Sequence, residues 1–125
     1  MKDDIRRLPD SELEVMQALW QCPAPARARD IDDVLRPGRA LAQTTLLTLL
    51  TRLSDKGFVA IEKQGRGSVY TPLVSREEYQ AAQSRRFVDK LFGGSISAFA
   101  SALSSGGLSK EELEELRELL EENRL

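Results

Sequence analysis

The stretch AQTTLLTLLTRLSDKG, Ala42 to Gly57, decides the fold of this chain. Its apolar residues recur at helical spacing, which predicts a helix with one face buried in a core. Those residues are Leu46, Leu49, Leu50 and Leu53. The opposite face carries Thr44, Leu47, Thr48 and Thr51, whose spacing of i, i+3, i+4 and i+7 also places them on one side of a helix. A face in water would carry Glu and Lys, which form helices better than Thr, so this face indicates a surface that contacts another molecule.

The composition excludes most catalytic chemistry. The chain of 125 residues is 41% hydrophobic and 30% charged, which suits one compact domain or a small domain with an appendage. It has no histidine and one cysteine, Cys22, which excludes an intrachain disulfide, Cys/His metal sites and nearly all histidine-based catalysis. We therefore expect no enzymatic activity, no metal and no cofactor. The N-terminal MKDDIRRLPD lacks the apolar core of a signal peptide and no stretch suits a membrane span, so we expect a cytoplasmic protein without membrane insertion.

The remaining pattern predicts three helices, a hairpin and three more helices. The helices are expected over about 11–21, 27–36, 42–57, 76–92, 96–103 and 110–123. Capping boxes of the form S-x-x-E begin three of them, at Ser11 and Glu14, Ser75 and Glu78, and Ser109 and Glu112. Gly57 is expected to end the third helix. The segments FVAIEKQ and SVYTPLV alternate around GRG, which predicts a β-hairpin.

The first half of this order is the pattern of a winged helix-turn-helix, whose third helix enters the major groove of DNA. Threonine hydroxyls can bond to bases or phosphates, and methyl groups can pack on thymine. Between Arg36 and Arg66 there are six basic and two acidic residues, a local net charge of +4 that suits a DNA-binding surface. A winged helix used only for protein contact is the alternative. The predicted DNA-binding residues are Gln43, Thr44, Thr45, Leu47, Thr48, Thr51 and Arg52 on the helix, and Lys63 and Arg66 on the wing.

The second half has too few apolar residues to close a core of its own. We expect its helices to pack against a second copy of the chain, since a two-fold dimer suits a palindromic operator. The alternative is that they fold back on the winged domain of their own chain. The predicted dimer-interface residues are Phe87, Leu91, Phe92, Ile96, Phe99, Leu103, Leu113, Leu116 and Leu120. The fold is thus expected to be mainly α with a small β-hairpin: a winged helix-turn-helix DNA-binding domain over 1–74 and a helical dimerisation domain over 75–125.

Three segments, LPDSELEVMQALW, LAQTTLLTLLTRLSDKGFV and GRGSVYTPLVSREEY, resemble the penicillinase-repressor family of bacterial transcription regulators (the BlaI/MecI/CopY type). The resemblance implies a homodimer that represses genes from an inverted-repeat DNA operator, often with TACA/TGTA half-sites. It implies DNA contacts by Thr44, Thr45 and Thr48, with Arg52 on the backbone or bracing the helix and Arg66 on the wing.

The resemblance also bears on how repression is relieved. In several members a membrane-bound sensor protease cuts between Asn and Phe in the C-terminal domain. The matching pair here is Ala98-Phe99, which lacks the Asn, and we expect Phe99 to be buried. The copper-responsive branch has a cysteine-rich tail, which this chain lacks after Cys22. A ligand-sensing regulator of the multiple-antibiotic type, with a small-molecule pocket between the two halves, is the alternative function.

Overall fold

In the computed structural model, which describes residues 5–122, three helices precede a β-hairpin and three follow it. The elements are α1 (Asp10–Gln21), β1 (Ala26–Arg27), α2 (Ala28–Leu35), α3 (Gln43–Asp55), β2 (Val59–Gln64), β3 (Gly67–Pro72), α4 (Arg76–Phe92), α5 (Ile96–Ala102) and α6 (Lys110–Glu121). The segment Leu103–Gly107 between α5 and α6 has π-helical hydrogen bonding. The expected mainly helical fold with a winged helix-turn-helix and a small hairpin is confirmed.

The N-terminal unit surrounds one hydrophobic core. α1 supplies Val15, Met16 and Leu19, while α3 supplies the four leucines that its spacing predicts. An antiparallel sheet in the order β1-β3-β2 contributes Val59 and Tyr70 to the same core, and Phe58, just before β2, is buried there as well. Burial of these side chains provides the main driving force for folding of this unit.

The chain divides into two compact units between Gln83 and Ser84. The predicted domain boundary lies after residue 74, but the first two turns of α4 belong with the N-terminal unit. There the Tyr79 hydroxyl accepts a hydrogen bond from the backbone N–H of Leu8 at 2.9 Å. The Gln83 side chain donates to the carbonyl of Ile5 at 3.2 Å. These bonds tie the start of α4 to the N-terminal segment of its own unit.

Two of the three predicted capping boxes form. At the start of α4 the Ser75 hydroxyl accepts a hydrogen bond from the Glu78 N–H, and the Glu78 carboxylate accepts one from the Ser75 N–H. Ser109 and Glu112 form the same two bonds at the start of α6. The capping box predicted at Ser11 is wrong. α1 begins one residue earlier, at Asp10, after Pro9 with extended backbone and no side-chain cap. Ser11 therefore lies inside the helix, past the position from which a hydroxyl can cap the first turn.

The hairpin forms as predicted, but the sheet has a third strand that the sequence pattern does not indicate. β1 is two residues long and pairs Ala26 with Tyr70 and Arg27 with Val69. Such a short strand shows no alternation and exists because β3 offers it a partner. At the other end of the helix-turn-helix, Gly57 follows α3 with φ +83°, the left-handed conformation that glycine adopts without steric cost.

The C-terminal unit has little core of its own. Phe87, Phe92 and Phe99 form an edge-to-face cluster with ring centroids 5.5–6.3 Å apart. Over Ser84 to Glu122, however, Val88 is the one buried side chain. The π-helical segment contains non-helical backbone at Ser105 and at Gly106, whose φ is +118°. Local unfolding of this unit should therefore require less free energy than unfolding of the winged unit.

Candidate nucleic-acid and dimer interfaces

Helix α3 has two chemically different faces. Its inner leucines are at most 5% exposed. Its outer face carries all the helix residues predicted to bind DNA, and each is exposed in this chain: Gln43, Thr44, Thr45, Leu47, Thr48, Thr51 and Arg52. The expectation that the threonine stripe lies opposite the buried leucines is thus correct. The face is free of acidic side chains in its first turn, where a carboxylate would repel phosphate.

The threonine hydroxyls of this face bond back to the helix. Thr48 Oγ1 donates to the carbonyl of Thr44 at 2.8 Å, and Thr51 Oγ1 donates to the carbonyl of Leu47 at 3.0 Å. A hydroxyl has one proton and two lone pairs, so each oxygen still offers acceptor sites to an incoming donor. Thr44, Thr45, Thr48, Leu49 and Arg52 line a shallow depression of about 220 Å³. The short threonine side chains therefore offer polar contacts and allow a ligand to approach the helix closely.

The wing places two cations at an exposed tip. Gln64 of β2 pairs with Gly67 of β3, so Gly65 and Arg66 form a two-residue turn. Gly65 has φ +68°, a conformation that hairpin turns of this length require and glycine supplies readily. Arg66 lies in the turn and Lys63 lies next to Gln64, and both side chains are exposed.

Arg27 of β1 contacts the wing, and the sequence pattern does not indicate this contact. Its Nη2 donates to the backbone carbonyl of Gln64 at 3.2 Å and to the Gln64 Oε1 at 3.3 Å. Arg27 follows the proline-rich CPAPA segment, 37 positions before Gln64 along the chain. No local pattern links two residues at that distance, so the contact could be found only from the strand pairing.

The basic patch is smaller than its sequence count suggests. Three of its cations form ion pairs: Arg36 with Asp32 at 2.5 Å, Arg39 with Glu14 at 3.0 Å, and Lys56 with Glu12 at 2.5 Å. The hydrogen bond and the charge of Asp32 raise the pKa of Arg36 above its usual value.

Within residues 5–122, Arg27, Arg29, Arg52, Lys63 and Arg66 make no ion pair, and all five side chains are exposed. These cations lie on β1, on α2, near the end of α3 and on the wing.

The residues predicted to form a dimer interface are all at least partly exposed in a single chain. Four of the large hydrophobic ones are exposed to more than half of their area, at 51% for Phe87, 63% for Leu91, 57% for Ile96 and 58% for Leu120. The others are half-buried: Phe92, Phe99, Leu103, Leu113 and Leu116. The expectation that Phe99 is buried is not met, because it contacts Phe87 and Phe92 with only part of its surface.

Ala98 and Phe99, the candidate cleavage pair, lie in the middle of α5, and Ala98 is exposed.

In the part of the chain that the structure covers, no helix combines the length and the apolar character that a bilayer span requires. Across residues 5–122 no three Cys, Asp or Glu side chains converge as ligands for a metal ion.

Comparison with known proteins identifies the family. The family model described as Penicillinase repressor matches residues 8–122. The Penicillinase repressor of Bacillus licheniformis is 31% identical over 121 residues, 96% of this chain and 94% of that protein. The Methicillin resistance regulatory protein MecI of Mammaliicoccus sciuri is also 31% identical, over 96% of this chain and 98% of its own length.

A solved structure supports the same assignment. The solution structure of the DNA binding domain of the repressor BlaI superposes with a TM-score of 0.52 at 32% identity, covering 60% of this chain and 90% of that one. The chain therefore belongs to the penicillinase repressor family of DNA-binding transcriptional repressors.

Proposed function

We propose that this protein represses transcription as a homodimer that binds an inverted-repeat operator, with α3 reading bases in the major groove and the wing contacting phosphates. The observation that carries the proposal is the exposed hydroxyl face of α3, together with Arg52, Lys63 and Arg66, which form no ion pair within residues 5–122. The contact set is Gln43, Thr44, Thr45, Leu47, Thr48, Thr51, Arg52, Lys63 and Arg66. No feature of the face suits catalysis, and none favours protein contact alone.

The reading role of α3 can be tested with Thr48→Ala on the full chain. A duplex operator is first obtained by selecting bound DNA from a random pool. We expect Thr48→Ala to weaken binding to this duplex by about 1 kcal/mol and to relax preference at one position per half-site, the scale of a single base contact. Gln80→Ala, an exposed substitution on α4, is the control. Unchanged affinity and unchanged preference for Thr48→Ala would contradict the assignment of α3.

The phosphate role of the wing predicts a different signature. Arg66→Ala should weaken binding to operator and to random DNA alike, and should reduce the slope of log K against log salt by about 0.9 for each lost phosphate contact. Arg86→Ala removes the same charge from an exposed position of the C-terminal unit and is the matched control. Equal salt slopes for Arg66→Ala and the unmodified protein would show that the wing does not touch the backbone.

Dimerisation through the C-terminal helices is supported by the exposed apolar side chains around Phe87 and Leu91. Leu91 is 63% exposed in one chain, so a charge there should spare the fold and disrupt only a contact with another copy. We expect Leu91→Glu to sediment as a monomer at micromolar concentration and to bind the operator roughly 100-fold more weakly, since the second half-site loses its effective concentration. Lys90→Glu, on an exposed neighbour, is the control. A dimeric Leu91→Glu protein would contradict this interface.

We further propose that a membrane-bound sensor protease relieves repression by cutting between Phe92 and Leu108, with Ala98-Phe99 as the candidate bond. Such a cut would separate the winged N-terminal unit from α6. No side chain between Phe92 and Leu108 is buried, which supports access, although α5 must unfold locally before a protease can bind it. Mass spectrometry of the protein from induced cells tests the idea. An intact chain while target genes are expressed would rule cleavage out.

A further inference from the structure

Arg27 links the tip of the wing to β3 and to the start of α2. The Arg27 backbone is held twice: it pairs with Val69 of β3, and its N–H donates to the Asp30 carboxylate at the start of α2, at 2.9 Å. Its side chain then runs toward the hairpin tip and donates to both oxygens of Gln64. One residue thus connects the sheet, α2 and the last residue of β2.

Apart from the pairing of β2 with β3, few contacts hold the tip. In β2 only Val59 is buried, and the strand is exposed from Ile61 onward. Gln64 is the residue immediately before the Gly65-Arg66 turn, so fixing its carbonyl and its amide side chain fixes the direction in which the turn leaves the sheet. A hairpin end without packing would otherwise sample several orientations, and ordering it on DNA would reduce affinity.

Gly67 leaves the space that the Arg27 guanidinium occupies. A Cβ atom at Gly67 would stand 3.0 Å from Arg27 Nη1, closer than ordinary van der Waals contact. Since Gly67 and Val69 lie two residues apart on β3, they face the same side of the sheet as the Arg27 side chain that crosses it. A side chain at 67 would therefore force the Arg27 guanidinium to shift from the position in which it contacts Gln64.

We propose that Arg27 is a positioning residue for the wing: its planar guanidinium holds Gln64 and thereby orients Lys63 and Arg66 toward the DNA backbone. This inference rests on the proposed function, in which the wing contacts phosphates. Arginine suits the task because one Nη group can donate two hydrogen bonds in a fixed plane while the charge persists. Lysine would keep the charge and lose that geometry.

The first test needs no DNA. In the full-length Arg27→Lys protein, NMR order parameters of the Gly65, Arg66 and Gly67 amides should fall toward the flexible range, below about 0.6, while those of α1 and α3 stay unchanged. Gly67→Ala, which keeps every charge but crowds the guanidinium, should loosen the same amides. A wing tip that is as rigid in both variants as in the unmodified protein would overturn the inference.

The second test separates positioning from direct phosphate contact. On the selected operator duplex, Arg27→Lys and Arg27→Gln should both weaken binding by about three- to tenfold, because each loses the guanidinium that donates both hydrogen bonds to Gln64. In an Arg66→Ala, Lys63→Ala background, neither should weaken binding further, since the cations they orient are gone. Normal binding by Arg27→Lys, or an Arg27→Gln effect that adds fully in that background, would mean that Arg27 contacts phosphate itself and would overturn the positioning role.

The two tests also distinguish failure of this inference from failure of the proposed function. If the tip loosens in Arg27→Lys but Arg66→Ala leaves DNA binding and its salt slope unchanged, then Arg27 positions the wing and the wing does not serve DNA binding. If Arg66→Ala weakens binding but the tip stays rigid in Arg27→Lys, then the proposed function stands and the role of Arg27 is wrong.

Discussion

Replacing Lys56 with methionine should destabilise the winged unit by about 3 kcal/mol. Its partner Glu12 is the one charged side chain that is buried among residues 5–122, with 4% of its surface exposed. Lys56 Nζ lies 2.5 Å from Glu12 Oε1 and joins α1 to the C-terminal end of α3. Removing one partner of a buried pair leaves an uncompensated charge, at a typical cost of about 3–5 kcal/mol. The Lys56 side chain keeps 24% exposure, so some solvent reaches the pair and the lower end of that range applies.

Urea denaturation at pH 7 measures the change in the free energy of unfolding. In thermal denaturation, a loss of about 3 kcal/mol corresponds to a fall in Tm on the order of 15 °C for a unit of this size. The double variant Glu12→Gln, Lys56→Met should recover at least half of the lost free energy, because no unpaired carboxylate remains buried. Arg39→Met is the matched control, since its partner Glu14 is 39% exposed, and it should cost about 0.5 kcal/mol or less.

Two outcomes would contradict the role of the Glu12–Lys56 pair. A change below about 1 kcal/mol in Lys56→Met would mean that water solvates Glu12 well enough to replace the ammonium group. A double variant no more stable than the single one would mean that lost packing of the lysine stem, and not the unpaired charge, causes the destabilisation. Either result refutes the assignment of this pair as a desolvated contact between α1 and α3.

Three further predictions concern single sites. Ser75→Ala should cost about 1 kcal/mol in urea denaturation, because α4 loses the hydroxyl that accepts from the Glu78 N–H; no change would mean that Glu78 alone caps the helix. Gly57→Ala should destabilise by about 1 kcal/mol because an alanine is strained at φ +83°. A Cβ there meets no atom within 4 Å, so a clash adds nothing to this cost, and a neutral result would contradict the strain argument. Burial, followed by the charges of Asp30 and Asp33, raises the pKa of the Cys22 thiol. Alkylation by iodoacetamide at pH 7.5 should therefore be slower in the folded protein than in urea, and equal rates would contradict this.

Local sequence was sufficient to predict the helices, two of their caps and the two faces of α3. These features depend on residues at most four positions apart, such as the Ser75 and Glu78 exchange, so composition and spacing specify them directly. The family resemblance rests on the same local segments. The threonine stripe was visible for the same reason, since helical periodicity alone separates it from the buried leucines.

Only the tertiary structure decided which charges are free and how the wing is held. The spacing pattern counts Lys56 and Arg39 as basic, but folding pairs them with Glu12 and Glu14, 44 and 25 positions away in sequence. β1 and the Arg27 contact to Gln64 likewise exist because β3 brings distant segments side by side. Contacts of this kind leave no local periodicity, because their geometry is set by the packing of whole elements and not by neighbouring residues along the chain.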